Sequence, residues 1–252
     1  MPDRPVLAEE VRTAAEFTAA ATRLVAKIKQ PLWWRGHSKA CWELVPGVFR
    51  AEPPKTEEKN LGLRFMAKAP SRYSGCPRFD DNPAWLFLMQ HYGLPTRLLD
   101  WSESPLVAAY FATNGHREEP GTVWSLLPFK LNERSLSALH VPMPRHPSVI
   151  GLFDAALGGA PIGGDTVAAV QPLETDPRML AQHTVFTIHA SARSISALPD
   201  PGGILYRIDI PADAKAGFNR EMRALGIRRS NLFPDLTSLA LDIAEFGPQD
   251  IA

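Results

Sequence analysis

Gln90-His91-Tyr92-Gly93-Leu94-Pro95-Thr96-Arg97-Leu98-Leu99-Asp100-Trp101-Ser102-Glu103-Ser104-Pro105, continuing through Leu106 to Phe111, is the most informative stretch of this 252-residue chain. It packs His91, Tyr92, Thr96, Arg97, Asp100 and Trp101 into eleven positions around a glycine and a proline. A core segment has no use for so many polar groups. A surface loop has no use for Trp101 or for the apolar run behind it. Polar and aromatic groups on a stiff turn, backed by an apolar helix, are how a fold holds a binding site in place. The helix is expected over 104–113, with Ser102 or Ser104 as its N-cap.

Working outward, residues 9–28 carry Val11, Phe17, Ala21, Leu24, Val25 and Ile28 at helical spacing. Leu32 to Ser38 is strand-like and ends in a turn. Residues 51–60 are polar and read as an exposed loop, with helices at 61–69 and 83–92. Val123 to Phe129 reads as a buried strand. Prolines and the paired glycines at 158–159 and 163–164 make 144–166 a loop or insertion around a short helix. Strands follow at 166–173, 185–189 and 204–210, the last with alternating apolar residues. A helix over 213–225 stops at Gly226, and a final helix spans 235–245. The pattern is α+β, with short helices in the first half and a mostly antiparallel sheet in the second. Helices and strands do not alternate regularly enough for a doubly wound parallel sheet.

Composition removes several function classes. Basic and acidic residues balance at 27 each, so bulk electrostatic attraction to nucleic acid or a membrane surface is not indicated. Two cysteines, Cys41 and Cys76, make neither a disulfide framework nor a zinc pattern, which fits a reducing, cytoplasmic setting. No signal-like segment or membrane-spanning run is visible. Gly-x-Ser-x-Gly, Walker and Gly-x-Gly-x-x-Gly motifs are missing. His183 and His189 lack the acidic companions a metal site needs, so no metal is expected.

Trp34-Arg35-Gly36-His37-Ser38, then Trp42, Leu44, Pro46 and Phe49-Arg50, then the run from Gln90 to Phe111, resembles the FRG domain family, named for an aromatic-Arg-Gly signature. Arg178 and Gln182 before Val185-Phe186-Thr187, and Leu232-Phe233-Pro234-Asp235-Leu236, extend the resemblance over residues 30–242. One departure is Thr184, where the family usually has glycine. On this basis 1–29 is an N-terminal helix and 30–252 the FRG domain. The order of parts is also similar to ADP-ribosyltransferases. That likeness implies a split β-sheet clamping NAD, used as substrate, with a protein or nucleic-acid acceptor and a role as an intracellular toxin or defence effector.

The likeness places Arg35, His91, Tyr92 and Gln182 in catalytic roles, and Arg35, Gly36, Thr96, Arg97, Asp100, Trp101 and Ser102 around the nucleotide. The chemistry fits in part: a guanidinium forks onto pyrophosphate, Gly36 lets backbone approach a ligand, and Tyr92 or Trp101 can stack on a base. No glutamate lies near Gln182, which leaves Asp100 and Glu103 as acidic candidates. Each residue also has a structural reading: Arg97 and Asp100 pairing with each other or with backbone, Trp101 in the core, His91 and Tyr92 packing a turn. Two functions follow, an NAD-using transferase or glycohydrolase, or a non-catalytic module binding a nucleotide, RNA or protein in the same pocket.

Overall fold

The computed structural model describes residues 6–50, 57–160, 162–173 and 177–245. In chain order, strand β1 (Leu7–Glu10) leads into helix α1 (Ala14–Ile28) and strand β2 (Trp33–His37). Next come α2 (Glu58–Lys68), α3 (Asn82–His91), β3 (Leu98–Ser102) and α4 (Pro105–Thr113). The middle of the chain forms β4 (Gly121–Leu126), α5 (Pro128–Leu136), α6 (Ile150–Leu157) and β5 (Val167–Val170). The last part forms α7 (Pro177–Ala181), β6 (Thr184–His189), β7 (Leu205–Ile210), α8 (Lys215–Ala224), α9 (Arg229–Leu232) and α10 (Leu236–Ala244).

The strands make one seven-stranded sheet in the order β1-β7-β4-β2-β3-β6-β5, antiparallel except where β1 runs parallel to β7. This is the expected α+β class. Several boundaries move, and two of the shifts have a plain local cause. Residues 9–10, assigned to the first helix by periodicity, belong to β1 instead, because β7 offers them a ladder; α1 starts only after Thr13, whose hydroxyl accepts from the Glu16 amide at 3.1 Å. The strand expected to reach Phe129 stops at Leu126, since Pro128 takes the first turn of α5. Most of the polar stretch at 51–60 lies outside the described residues, and its end already belongs to α2.

Each strand sends alternate side chains to opposite faces, and the two faces bury different clusters. On one face, α1, α4 and α8 cover β2, β4 and β7 around Phe17, Trp34, Ala109, Val123 and Phe218. Beside them on that face, α3 and α6 cover β3, β5 and β6 around Leu86, Leu98, Phe153 and Phe186. The opposite face is a third cluster built on Trp33, Trp101, Trp124 and Leu131. The seam between the two helical groups runs above β2 and β3, and the site lies at that seam.

Candidate functional site

β2 pairs with β4 over five positions and β3 pairs with β6 over five, but β2 and β3 meet only where Trp34 faces Ser102. Beyond that pair the strands part, and a cleft of about 350 Å³ opens between them. Arg35, Gly36 and His37 form one lip and Asp100, Trp101 and Ser102 the other.

Arg35 spans the gap. Its Nη1 donates to the Asp100 carbonyl at 2.6 Å, a bond that takes the place of the missing ladder. Its Nε donates to His37 Nε2 at 3.0 Å. That makes Nε2 an acceptor, so the His37 proton sits on Nδ1 and is donated to the Trp42 carbonyl at 3.2 Å. Burial pushes His37 down to about 2, with the Arg35 and Arg50 charges adding to the effect, and the ring is neutral. Burial also lowers Arg35 to about 10, against the pull of Asp100, which leaves it a cation at neutral pH.

Asp100 is the acidic group of the cleft. Both its carboxylate oxygens accept from Gln90 Nε2, at 3.1 and 2.9 Å, and Oδ2 lies 4.0 Å from Arg35 Nη1. Its side chain is 48% exposed. Gln90 is held in turn by Thr96, whose hydroxyl donates to Oε1 at 2.6 Å and accepts from the Leu98 amide at 3.1 Å. A relay of short polar links therefore fixes the carboxylate from the end of α3 and the start of β3.

The sequence-predicted residues divide. Arg35, Gly36, His91, Asp100, Trp101, Ser102 and Gln182 line the cleft. Thr96 is buried behind it, against Gln90. Arg97 turns away: its backbone N–H and Nε donate to Glu58 at 2.7 and 2.8 Å, and the pair is buried. Pairing between Arg97 and Asp100 does not form, because extended backbone carries residues three apart to a separation of roughly 10 Å; the alternative bond to backbone does, with Arg97 Nη1 donating to the Leu152 carbonyl at 3.3 Å. Tyr92 also leaves the cleft, packing near Phe65 and Tyr73 at 6.5 and 6.2 Å between ring centroids.

Several cleft residues also hold the fold. A Cβ on Gly36 would lie 1.9 Å from the Ala108 carbonyl oxygen, so this glycine lets β2 press against α4. Trp101 Nε1 donates to Thr187 Oγ1 at 3.1 Å on the tryptophan-rich face. Ser102 Oγ donates to the Gln182 carbonyl at 2.6 Å, and Gln182 Nε2 donates to the Leu232 carbonyl at 2.9 Å. Ser104, not Ser102, caps α4.

Residue-by-residue reading missed Gln90, Trp42, Arg50 and Arg178 as site groups. Trp42 stands at the cleft, 44% exposed, edge-on to His37 and His116 at 6.0 and 5.1 Å. Its loop is tied down by buried Lys215, whose Nζ donates to the Ser38 and His116 carbonyls at 2.7 and 3.1 Å. Arg50 Nε donates to the Val45 carbonyl at 2.9 Å. Arg178 lies over Phe233, 4.7 Å from its centroid, beside Phe111. The local signals were the aromatic and basic residues of the Trp34–Arg50 string, the Gln90 that opens the quoted stretch, and Arg178 ahead of Gln182.

Three guanidinium groups thus line the cleft against one carboxylate, which favours an anionic ligand that also presents a group for Asp100. Among the described residues no group of three or more His, Cys, Asp or Glu side chains is placed to hold a metal ion, and no helix is long and apolar enough to cross a membrane.

No curated protein and no solved structure matches this chain. The FRG domain model matches residues 30–120, the stretch that supplies β2, α3, β3 and α4 and with them both lips of the cleft, so an FRG domain is present over these residues.

Proposed function

We propose that the cleft binds NAD as a substrate and that the protein is an ADP-ribosyltransferase or NAD glycohydrolase. The observation that carries this reading is the placement of one half-exposed carboxylate, Asp100, 4.0 Å from Arg35 in a cleft otherwise rich in guanidinium groups. Arg50 and Arg178 supply the charge to hold a pyrophosphate, and Trp42 offers a ring at the cleft for a base. As the nicotinamide–ribose bond breaks, nicotinamide leaves with the bonding pair and positive charge grows on the ribose. A fixed carboxylate stabilises that charge and the ribose hydroxyls beside it. Water or a nucleophile of an acceptor macromolecule then bonds to the ribose carbon and releases its proton. Spending NAD or modifying a macromolecule in this way is the action expected of an intracellular toxin or defence effector.

The test is nicotinamide release from NAD, followed by chromatography, with candidate RNA and protein acceptors present. Wild-type protein should release nicotinamide, and Asp100→Asn should lose the activity while keeping its thermal melting profile. Arg35→Ala should also abolish release, but it removes the bond across the β2–β3 gap and needs the same check of folding.

A second reading, a non-catalytic nucleotide-binding module, is favoured by one feature: the Gln182 amide and the Ser102 hydroxyl are both used to hold the chain itself. In that case calorimetry would detect NAD binding by wild type and Asp100→Asn alike, with no nicotinamide released by either.

A further inference from the structure

A second hollow, about 590 Å³ in volume, lies between α2 and α3. Leu61, Leu88 and Leu94 form its aliphatic lining, together with the rings of Phe65, Tyr73 and Tyr92. Arg64, Lys68 and Arg72, spaced one helical turn apart, supply its charge, and all three are exposed. No carboxylate is among its lining residues. The whole chain balances its charges at 27 each, so three cations without an acid around one apolar groove are a local imbalance. Tyr92, 58% exposed, leaves that apolar surface open.

We propose that this groove docks an acidic amphipathic helix of a partner protein. The partner's apolar stripe lies on the leucine and aromatic lining, and its flanking carboxylates meet Arg64, Lys68 and Arg72, the helix-in-groove mode with electrostatic selection added. Single-stranded nucleic acid suits the groove less well. Base stacking works best on ring faces free of neighbouring rings, whereas Phe65, Tyr73 and Tyr92 pack against one another, and the rest of the apolar lining is aliphatic. The groove adjoins the cleft through consecutive residues: His91 lines the cleft, Tyr92 lines the groove, and their rings lie 4.8 Å apart. A docked partner would sit beside the candidate active site, although the docking itself does not depend on how the cleft is read.

The experiment uses the full chain and four labelled probes in fluorescence anisotropy. These are a designed helical peptide with a leucine stripe flanked by glutamates, its twin with lysines for glutamates, a peptide of the acidic composition with its leucines scattered, and oligothymidylate. Wild type should bind the striped acidic peptide, and an Arg64→Glu/Lys68→Glu variant, shown to be folded by circular dichroism, should bind it at least about tenfold more weakly. The lysine twin should show the reverse preference, and the scattered peptide should bind poorly. Failure of the striped acidic peptide to bind, equal binding by wild type and variant, or equal binding of striped and scattered peptides would overturn the proposal. Binding of oligothymidylate that disappears in the variant while the acidic peptide stays silent would assign the groove to nucleic acid instead.

Discussion

Arg97 and Asp100 show how little a residue's type says about its task. Both are charged and three apart, yet one secures the helices on the sheet and the other faces the cleft. Glu58 sits against Arg97 with little solvent access, and burial holds its carboxyl above the ordinary range despite the ion pair. Removing one member of such a pair strands the other, so Glu58→Ala is expected to cost about 3 kcal/mol in urea unfolding; a change below about 0.5 kcal/mol would show the pair to be as dispensable as a surface one. Gly36→Ala should be worse than its one added carbon implies, because the clash is with the Ala108 backbone rather than a flexible side chain. A loss of about 3 kcal/mol or more is expected, with retention of wild-type stability as the contrary outcome. That the position requires glycine was visible in the sequence, but the approach of α4 rather than of a ligand was not.

At the scale of elements, the strongest local signals located the chain well. Ser104 caps α4, with its hydroxyl 3.4 Å from the Val107 amide, and Ser104→Ala should lower stability by about 1 kcal/mol. A matching loss from Ser102→Ala would not reveal a second cap, since that hydroxyl instead ties β3 to Gln182. β1 was illegible because four residues become a strand only when β7 lies alongside. Helix α10 lies where the sequence places a last helix, but its exposed face is the apolar one. It buries Ser238 and Asp242 and exposes Leu236, Leu239 and Ile243. The reason is local bonding: Asp242 accepts from the Ser230 amide at 2.7 Å, and Asp235 accepts from the Ser238 amide at 2.8 Å. Asp242→Ala should therefore destabilise by about 1–2 kcal/mol, whereas Leu236→Ser should stay within about 0.5 kcal/mol. The opposite order, measured by thermal or urea unfolding, would mean that the leucine face carries the helix.

For the whole molecule, the cleft's cost appears in its pH dependence. His37 and His189 are buried beside the Arg35 charge, with burial the larger cause, and their pKa values fall to about 2 and about 3. In the unfolded chain both return to the ordinary value near 6.5. Between pH 6.5 and 3 the unfolded state then binds up to two more protons than the folded one, so stability falls as the pH falls, approaching about 2.7 kcal/mol per pH unit once both unfolded rings are charged. Urea unfolding at pH 7.5, 6.5 and 5.5 should show little change across the first interval and a steep loss beyond it. A flat profile down to pH 5 would contradict two neutral buried imidazoles. Arg35 thus acts well beyond its own hydrogen bonds, spanning the β2–β3 gap and discouraging protonation in its surroundings.

By itself, the sequence determined the α+β class, nearly all the long helices, most strands and the segments that carry the site, because capping, periodicity and turn chemistry act between residues close in the chain. It also singled out Arg35 and the Gln90–Phe111 run. Only the tertiary structure decided that β2 and β3 share a single paired position, that Asp100 faces the resulting cleft with Gln90, and that Arg97 and Tyr92 serve other surfaces. Those outcomes depend on strand register and on which helices cover which face. Both are set by packing between residues tens of positions apart, where no local spacing records the partner.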